Sequence, residues 1–324
     1  MTRRPPHRSP RRSLLLRRAR GFTLVEAIMV IAIIGIVAGM VAVFIRVPIL
    51  SYRDTVDRAE LTDQADLALR RIARDIRLAL PNSVRVSPDN THLELLLTRS
   101  GARYLSADDG VTTVPVLSFD TPGLNSFNAI GMPSTFDQVR AGDLVVVYNL
   151  GPGFDEVNAY DLAATGVAQC TATTPDATGA GNIACIKGVS AVSTQSINGL
   201  NIPTLTLTMA GNPFARQKQP MESPEKRFQV ISGPVSFYCV ENTDGSRSLW
   251  RAWNYPITSG QALPPASASR ALVATGLANC NVFSYGSAAS QRTGLVRIAL
   301  ELRGRTDNPA TVRLVHQVHV DNTP

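Results

Sequence analysis

Residues 22–45 read FTLVEAIMVIAIIGIVAGMVAVFI, an apolar run of 24 residues with one charge, Glu26. As a helix the run is about 36 Å long at about 1.5 Å per residue, enough to cross a hydrocarbon core of about 30 Å. Pro48 follows and predicts a kink, because it lacks the N–H for an i→i−4 bond. Beyond it Leu61, Ala65, Ala68, Leu69, Ile72, Ile76, Ala79 and Leu80 recur at three- and four-residue steps. That spacing predicts one apolar face of an amphipathic helix. Asp54/Arg58, Asp66/Arg70 and Arg71/Asp75 are spaced as i,i+4 pairs on its wet side. Pro81-Asn82 predicts the stop. The helix is therefore expected over about 22–80, its first half (22–45) transmembrane and its second (46–80) amphipathic.

After Pro81 the pattern changes to short β-type runs, at 83–86, 93–98, 144–148, 204–209, 235–240, 248–253, 282–285, 295–302 and 312–320. Asn242-Thr243-Asp244-Gly245 predicts a hairpin turn. Residues 149–200 are rich in Gly, Ala and Thr and predict a loop-heavy insertion. The expected class is α+β: a long N-terminal helix whose amphipathic half packs on an antiparallel β-sheet head over 81–324.

Composition fits a globular body with one apolar span, at 44% hydrophobic and 18% charged residues. The net charge of +7 resembles that of a nucleic-acid binder. Its position changes that reading. Residues 1–21 hold eight arginines and no Asp or Glu, so removing them takes +7 to −1 for residues 22–324. The body has no electrostatic case for phosphate backbones, and no nucleic-acid partner is expected. Under the positive-inside rule the basic leader stays in the cytoplasm and 46–324 lies outside, where disulfides form. Cys170, Cys185, Cys239 and Cys280 allow three connectivities. The favoured one is Cys170–Cys185, closing a Thr/Ala/Gly-rich loop, with Cys239–Cys280. A loop of the first size is stabilised by about 3 kcal/mol in the chain-entropy model.

A secretory signal peptide has a shorter apolar core and an A-x-A-like end, neither of which is present. A plain signal anchor leaves Glu26 unexplained, since an acidic group at the centre of a membrane helix costs about 2.5–3.5 kcal/mol and less near the interface. The string Arg20-Gly21-Phe22-Thr23-Leu24-Val25-Glu26 resembles the class III signal of type IV pilins and type II secretion pseudopilins. That pattern is a basic residue, Gly, Phe, Thr, Leu, any residue and Glu before a long apolar helix, and every defined position is met. The resemblance implies that prepilin peptidase cuts between Gly21 and Phe22, removes 1–21 and methylates Phe22. It implies that Glu26 pairs with the N-terminal amine of a neighbouring subunit. It also implies a lollipop architecture and an inner-membrane anchor through 22–45, with the head in the periplasm before assembly into a pilus or pseudopilus. Its partners would be the inner-membrane assembly platform and the major and other minor pilins.

Later strings resemble minor pilins of the MSHA pilus, the MshO family. They are Phe44-Ile45-Arg46-Val47-Pro48 with Tyr52, Ala59-Glu60-Leu61-Thr62-Asp63, Leu69-Arg70-Arg71-Ile72-Ala73-Arg74-Asp75-Ile76-Arg77, Pro81-Asn82-Ser83 and the ending His316-Gln317-Val318-His319-Val320-Asp321-Asn322-Thr323-Pro324. PilW-like minor pilins and J-type pseudopilins share the plan and stay as alternatives, as does a tip adhesin.

The sequence offers no catalytic constellation and no cofactor or metal site is expected: there is no G-x-S-x-G, P-loop, H-E-x-x-H or EF-hand loop. The histidines are His7, His92, His316 and His319. The last two fall three apart on an expected strand and so face opposite sides. Asp108-Asp109-Gly110 and Asp155-Glu156 are read as solvated loop carboxylates rather than calcium ligands. Trp250 and Trp253 differ in strand parity, which predicts one in the core and one exposed.

Overall fold

The computed structural model describes residues 21–110, 114–287, 293–304 and 310–324; the basic leader over 1–20, with Arg20, lies outside the described residues. The chain divides into two compact units, Met1–Val56 and Asp57–Pro324. One helix, α1 (Leu24–Arg77), runs through the boundary and continues past Pro48. Its N-terminus is capped by Thr23, whose hydroxyl accepts the Glu26 N–H at 3.3 Å. Arg74 and Arg77 occupy its last turn, where cations suit the helix dipole. The chain then passes directly into sheet pairing: the Leu80 N–H donates to Leu96 O and the Thr98 N–H to Leu78 O, both at 2.8 Å.

Among the described residues the remaining elements are one short α-helix, α2 (Pro133–Phe136), three 3-10 turns and the strands. In order they are β1 (Arg85–Val86), β2 (His92–Tyr104), β3 (Ser126–Ile130), β4 (Leu144–Val146), β5 (Ile183–Val189), β6 (Ser193–Ile197), β7 (Leu200–Met209), β8 (Arg227–Glu241), β9 (Arg247–Trp253), β10 (Ser269–Thr275), β11 (Phe283–Ser287), β12 (Thr293–Arg303) and β13 (Thr311–Asp321). Every named pairing is antiparallel. The class is α+β, as the hydrophobic pattern predicts.

Beneath that class lies a closed ring. β2 pairs with β3, β3 with β7, β7 with β5, β5 with β4, β4 with β8, and β8 returns to β2. Closure removes sheet edges. Phe127, Phe228, Tyr104, Leu205, Leu207 and Val230 are buried in one cluster that Phe214, from a 3-10 turn (Phe214–Arg216), and Phe119, from a loop, join. The long strands β2 and β8 serve two structures at once. Their 98–103 and 227–231 ends build the ring; their 92–96 and 234–238 ends join β1, β9 and β10. The register shifts between Leu96 and Ser100 of β2, opposite Gly233 of β8. Gly233 has φ +116, a conformation that glycine adopts without a Cβ penalty.

The second sheet, β11–β12–β13, shares a core with the helix. Ala65, Ala68, Leu69, Ile72 and Ile76 of α1 are buried with Leu93, Leu95, Phe237 and Leu249 on one side of the sequence and Phe283, Ile298, Leu300 and Val318 on the other. Burial of each Leu, Ile or Phe there contributes about 1.5–3 kcal/mol. Of the expected wet-side pairs, Asp66–Arg70 is formed at 2.7 Å. Arg71/Asp75 is not: Asp75 is 2% exposed and accepts from Arg251 Nε at 2.7 Å. The reason is helical period, since Asp75 follows Ile72 by three and Ala68 by seven residues and shares their face.

Residues 149–182 are loop with one 3-10 turn (Leu162–Thr165), but the expected insertion also contains β5 and β6. The 242–245 hairpin forms, with the Gly245 N–H donating to Asn242 O at 3.0 Å and Gly245 at φ +77. Cys170 is bonded to Cys185, tying the 149–182 loop to β5; Cys239 of β8 is bonded to Cys280; both Cα–Cα separations are 5.4 Å.

Candidate functional site

Gly21, Phe22 and Thr23 precede the helix and Glu26 lies in its first turn. The Thr23 cap with Glu at the third helical position has the spacing of a capping box. It is a role for Thr23 that the motif spacing carries, Thr-x-x-Glu before an apolar run. Phe22 is 77% exposed. From Leu24 to Ile45 the large apolar side chains stand between 43% and 83% exposed. That run is long and apolar enough to cross a membrane. The Glu26 carboxylate makes no ion pair among the described residues. An acidic group thus sits one turn inside an otherwise apolar helix, next to whatever N-terminus precedes it.

A second cluster of chemically capable residues lies in the Asp57–Pro324 unit. His92 Nε2 is 2.9 Å from Ser236 Oγ, which is also bonded to the Tyr255 hydroxyl; that hydroxyl donates to Glu94 at 3.0 Å. Arg85 completes the chain. Its Nε donates to Glu94 at 2.6 Å, its Nη groups to Ser259 O at 2.7 Å and Thr258 O at 3.0 Å, and its face lies 3.6 Å from the Tyr160 ring. His92, Ser236 and Glu94 are buried. The Ser236 hydroxyl is occupied from both sides, leaving it no direction in which to meet a substrate. The network instead stitches β1, β2 and β8 to the 254–261 loop, each polar group satisfied as burial demands.

Burial is the main influence on His92 and, helped by the nearby Arg85 charge, lowers its pKa from 6.5 to about 4, against the opposing pull of Asp89. Burial raises the Glu94 carboxyl, opposed by Arg85 and Tyr255. For a base held neutral in the fold, the unfolded chain takes up the extra proton between pH 6.5 and about 4. Stability from this group is therefore complete above pH 6.5 and lost as pH falls to about 4. Denaturant unfolding of the detergent-solubilised chain at pH 7.5 and pH 4 should show wild type losing about 3 kcal/mol more than His92→Gln. Glu94 is common to both proteins and cancels in the comparison. Equal losses would contradict the assignment.

Among the described residues no three His, Cys, Asp or Glu side chains gather as a metal cluster. His316 is half-buried and His319 exposed on opposite faces of β13. Asp109 accepts the Ser106 N–H at 2.9 Å and pairs with Lys226 at 3.1 Å; Glu156 accepts the Lys218 N–H at 2.8 Å. Trp250 and Trp253 are both half-buried, one against Tyr238 and Ala252 and the other on the helix-side core, so neither is the exposed one that parity predicts.

Residues 16–42 match the family model of the prokaryotic N-terminal methylation motif. No curated protein and no solved structure matches the chain.

Proposed function

We propose that this chain is a type IV pilin-family subunit and, within that family, a low-abundance minor pilin of the MSHA type. Prepilin peptidase cuts it after Gly21 and methylates Phe22. The product enters a pilus from the inner membrane to prime, assemble or cap it. The observation that carries this reading is the methylation motif over 16–42 on a bare helix long enough to span a bilayer. The Thr23 cap lies on the retained side of the cut, so the helix keeps its first hydrogen bond after processing. The Asp57–Pro324 unit is bulky for a subunit packed at every position of a fibre, which favours few copies near the tip. Dense immunogold labelling along the whole filament would refute that placement. Loss of secretion rather than of pili on deletion would assign the chain to a pseudopilus instead.

Glu26 is the assembly determinant in this reading. It meets the Phe22 ammonium of a neighbouring subunit, whose charge methylation preserves. Opposite charges about 4 Å apart attract by about 4 kcal/mol at an effective dielectric of about 20. That offsets the cost of a carboxylate in lipid only when subunits stand in register. Glu26→Ala should leave cleavage and membrane insertion intact and reduce recovery of the subunit in sheared filaments by tenfold or more. Normal recovery would sink the assignment.

A further inference from the structure

The part of α1 that belongs to the Asp57–Pro324 unit has two faces. Ala65, Ala68, Leu69, Ile72 and Ile76 are buried in the core. On the opposite face Glu60, Asp63, Leu67, Arg71, Arg74 and Arg77 are exposed. The charges are sorted along the axis. Residues 57–67 hold four acids and one arginine; residues 68–78 hold four arginines and one acid, Asp75, which is buried and held by Arg251. Glu60, Asp63 and Asp66 recur at steps of three, and so do Arg71, Arg74 and Arg77. Leu67 lies between the two sets and is 69% exposed.

Forces within the chain do not account for this sorting. A helix dipole favours acids in the first turn and cations in the last. It explains Arg74 and Arg77, but Glu60, Asp63 and Asp66 lie in mid-helix, far from its start at Leu24. Pairing along the helix uses Asp66 and Arg70, at 2.7 Å. Arg74 reaches Asp75 only at 3.9 Å, and Asp75 already holds Arg251. Glu60, Asp63, Arg71 and Arg77 make no ion pair among the described residues.

The two sets match each other at one displacement. Glu60 and Arg71, Asp63 and Arg74, and Asp66 and Arg77 are each eleven residues apart. At about 3.6 residues per turn that is about three turns, so the acidic and basic blocks leave the axis in the same direction. The distance is about 16 Å at about 1.5 Å per residue. A parallel copy displaced by that length sets its acidic block beside the basic block of the first, with Asp63 facing Arg74 at the centre. Two copies in register set acid on acid and arginine on arginine. An antiparallel pair also matches charge, but it points the two N-terminal apolar runs apart, which a single bilayer does not allow. Exposed ion pairs are individually weak, so the stripe selects partner and register more than it supplies affinity. The contact is head-to-tail, and each copy keeps one block free for the next.

We propose that the outward stripe of α1 over 57–78 binds a second copy of this chain, parallel and displaced by about three helical turns. The parallel orientation rests on the proposed membrane insertion through 22–45; the choice of a like partner comes from the stripe alone. The few copies expected near a tip then stand beside one another. The test co-expresses two differently tagged full-length copies, one with Leu67→Cys and one with Leu78→Cys, and treats their membranes with a short bismaleimide. Both leucines are exposed, they are eleven residues apart, and neither substitution removes a charge. The native cysteines are engaged in disulfides. The mixed crosslink should exceed either same-site crosslink tenfold or more. Arg71→Glu, Arg74→Glu and Arg77→Glu together in the Leu78→Cys copy should reduce it tenfold or more, and Glu60→Arg, Asp63→Arg and Asp66→Arg in the other copy should restore it. Same-site crosslinks as strong as the mixed one, no mixed crosslink, one that survives the unrescued reversal, or a loss without rescue would each overturn the proposal. Carbonate extraction reports the membrane insertion separately. Copies in the pellet without the mixed crosslink sink the stripe alone, whereas copies in the supernatant sink the insertion and the proposal with it.

Discussion

Replacing Gly21 with valine should leave the arginine-rich leader on the chain and abolish the mature form. Among the described residues a Cβ added at Gly21 meets nothing within 4 Å, and its backbone is outside the left-handed region, so the described fold makes no demand for glycine there. In the proposed processing, the requirement for glycine would come from a protease cleft that accepts backbone closely, where a branched side chain does not fit. Intact-mass spectrometry of membrane-extracted protein should give a methylated N-terminus at Phe22 for wild type. The variant should retain the leader, with the same membrane fraction and the same unfolding midpoint. A Gly21→Val chain that still begins at Phe22 would remove the basis for placing the cut there.

Asp75→Ala should destabilise the Asp57–Pro324 unit by about 3–5 kcal/mol. Asp75 is 2% exposed and holds the Arg251 guanidinium at 2.7 Å, while Arg251 also lies 5.0 Å from the Trp253 ring. Deleting the carboxylate leaves a mostly buried cation with its partner gone. Against a typical net stability of about 5–15 kcal/mol this is a large share. Removing both charges is a different experiment, because it creates no orphan. The double variant Asp75→Leu/Arg251→Met should recover most of the loss in denaturant unfolding. A single variant that costs under about 1 kcal/mol would mean that the pair is effectively solvated.

The membrane segment, its cap and its lone carboxylate are legible from consecutive residues. Length, apolar period and the position of one charge are properties of a line of residues, and a helix realises them locally. The buried face of α1 is legible for the same reason, and it includes Asp75, whose spacing from Ile72 and Ala68 prevails over its i,i+4 spacing from Arg71. The β-rich part divides differently. The longer alternating or apolar strands are visible, whereas β3, β5, β6 and β10 are not. β6 (Ser193–Ile197) is polar over most of its length, and β5 carries Lys187 and Gly188 within a buried strand. Their extended form comes from the strands on either side, not from their own pattern.

Ring closure and the cleft at the start of β8 belong to tertiary structure alone. Arg103 of β2 reaches Arg227 of β8 and Ile130 of β3 at once, and only pairings that distant in sequence turn a row of strands into a ring. Asn82, Tyr148, Gln229 and Tyr285 carry no common spacing, yet they line one cleft because those strands end side by side. One-dimensional periodicity encodes which face of an element is buried. Which elements meet is decided by the packing of their side chains, and that information is distributed over the whole chain.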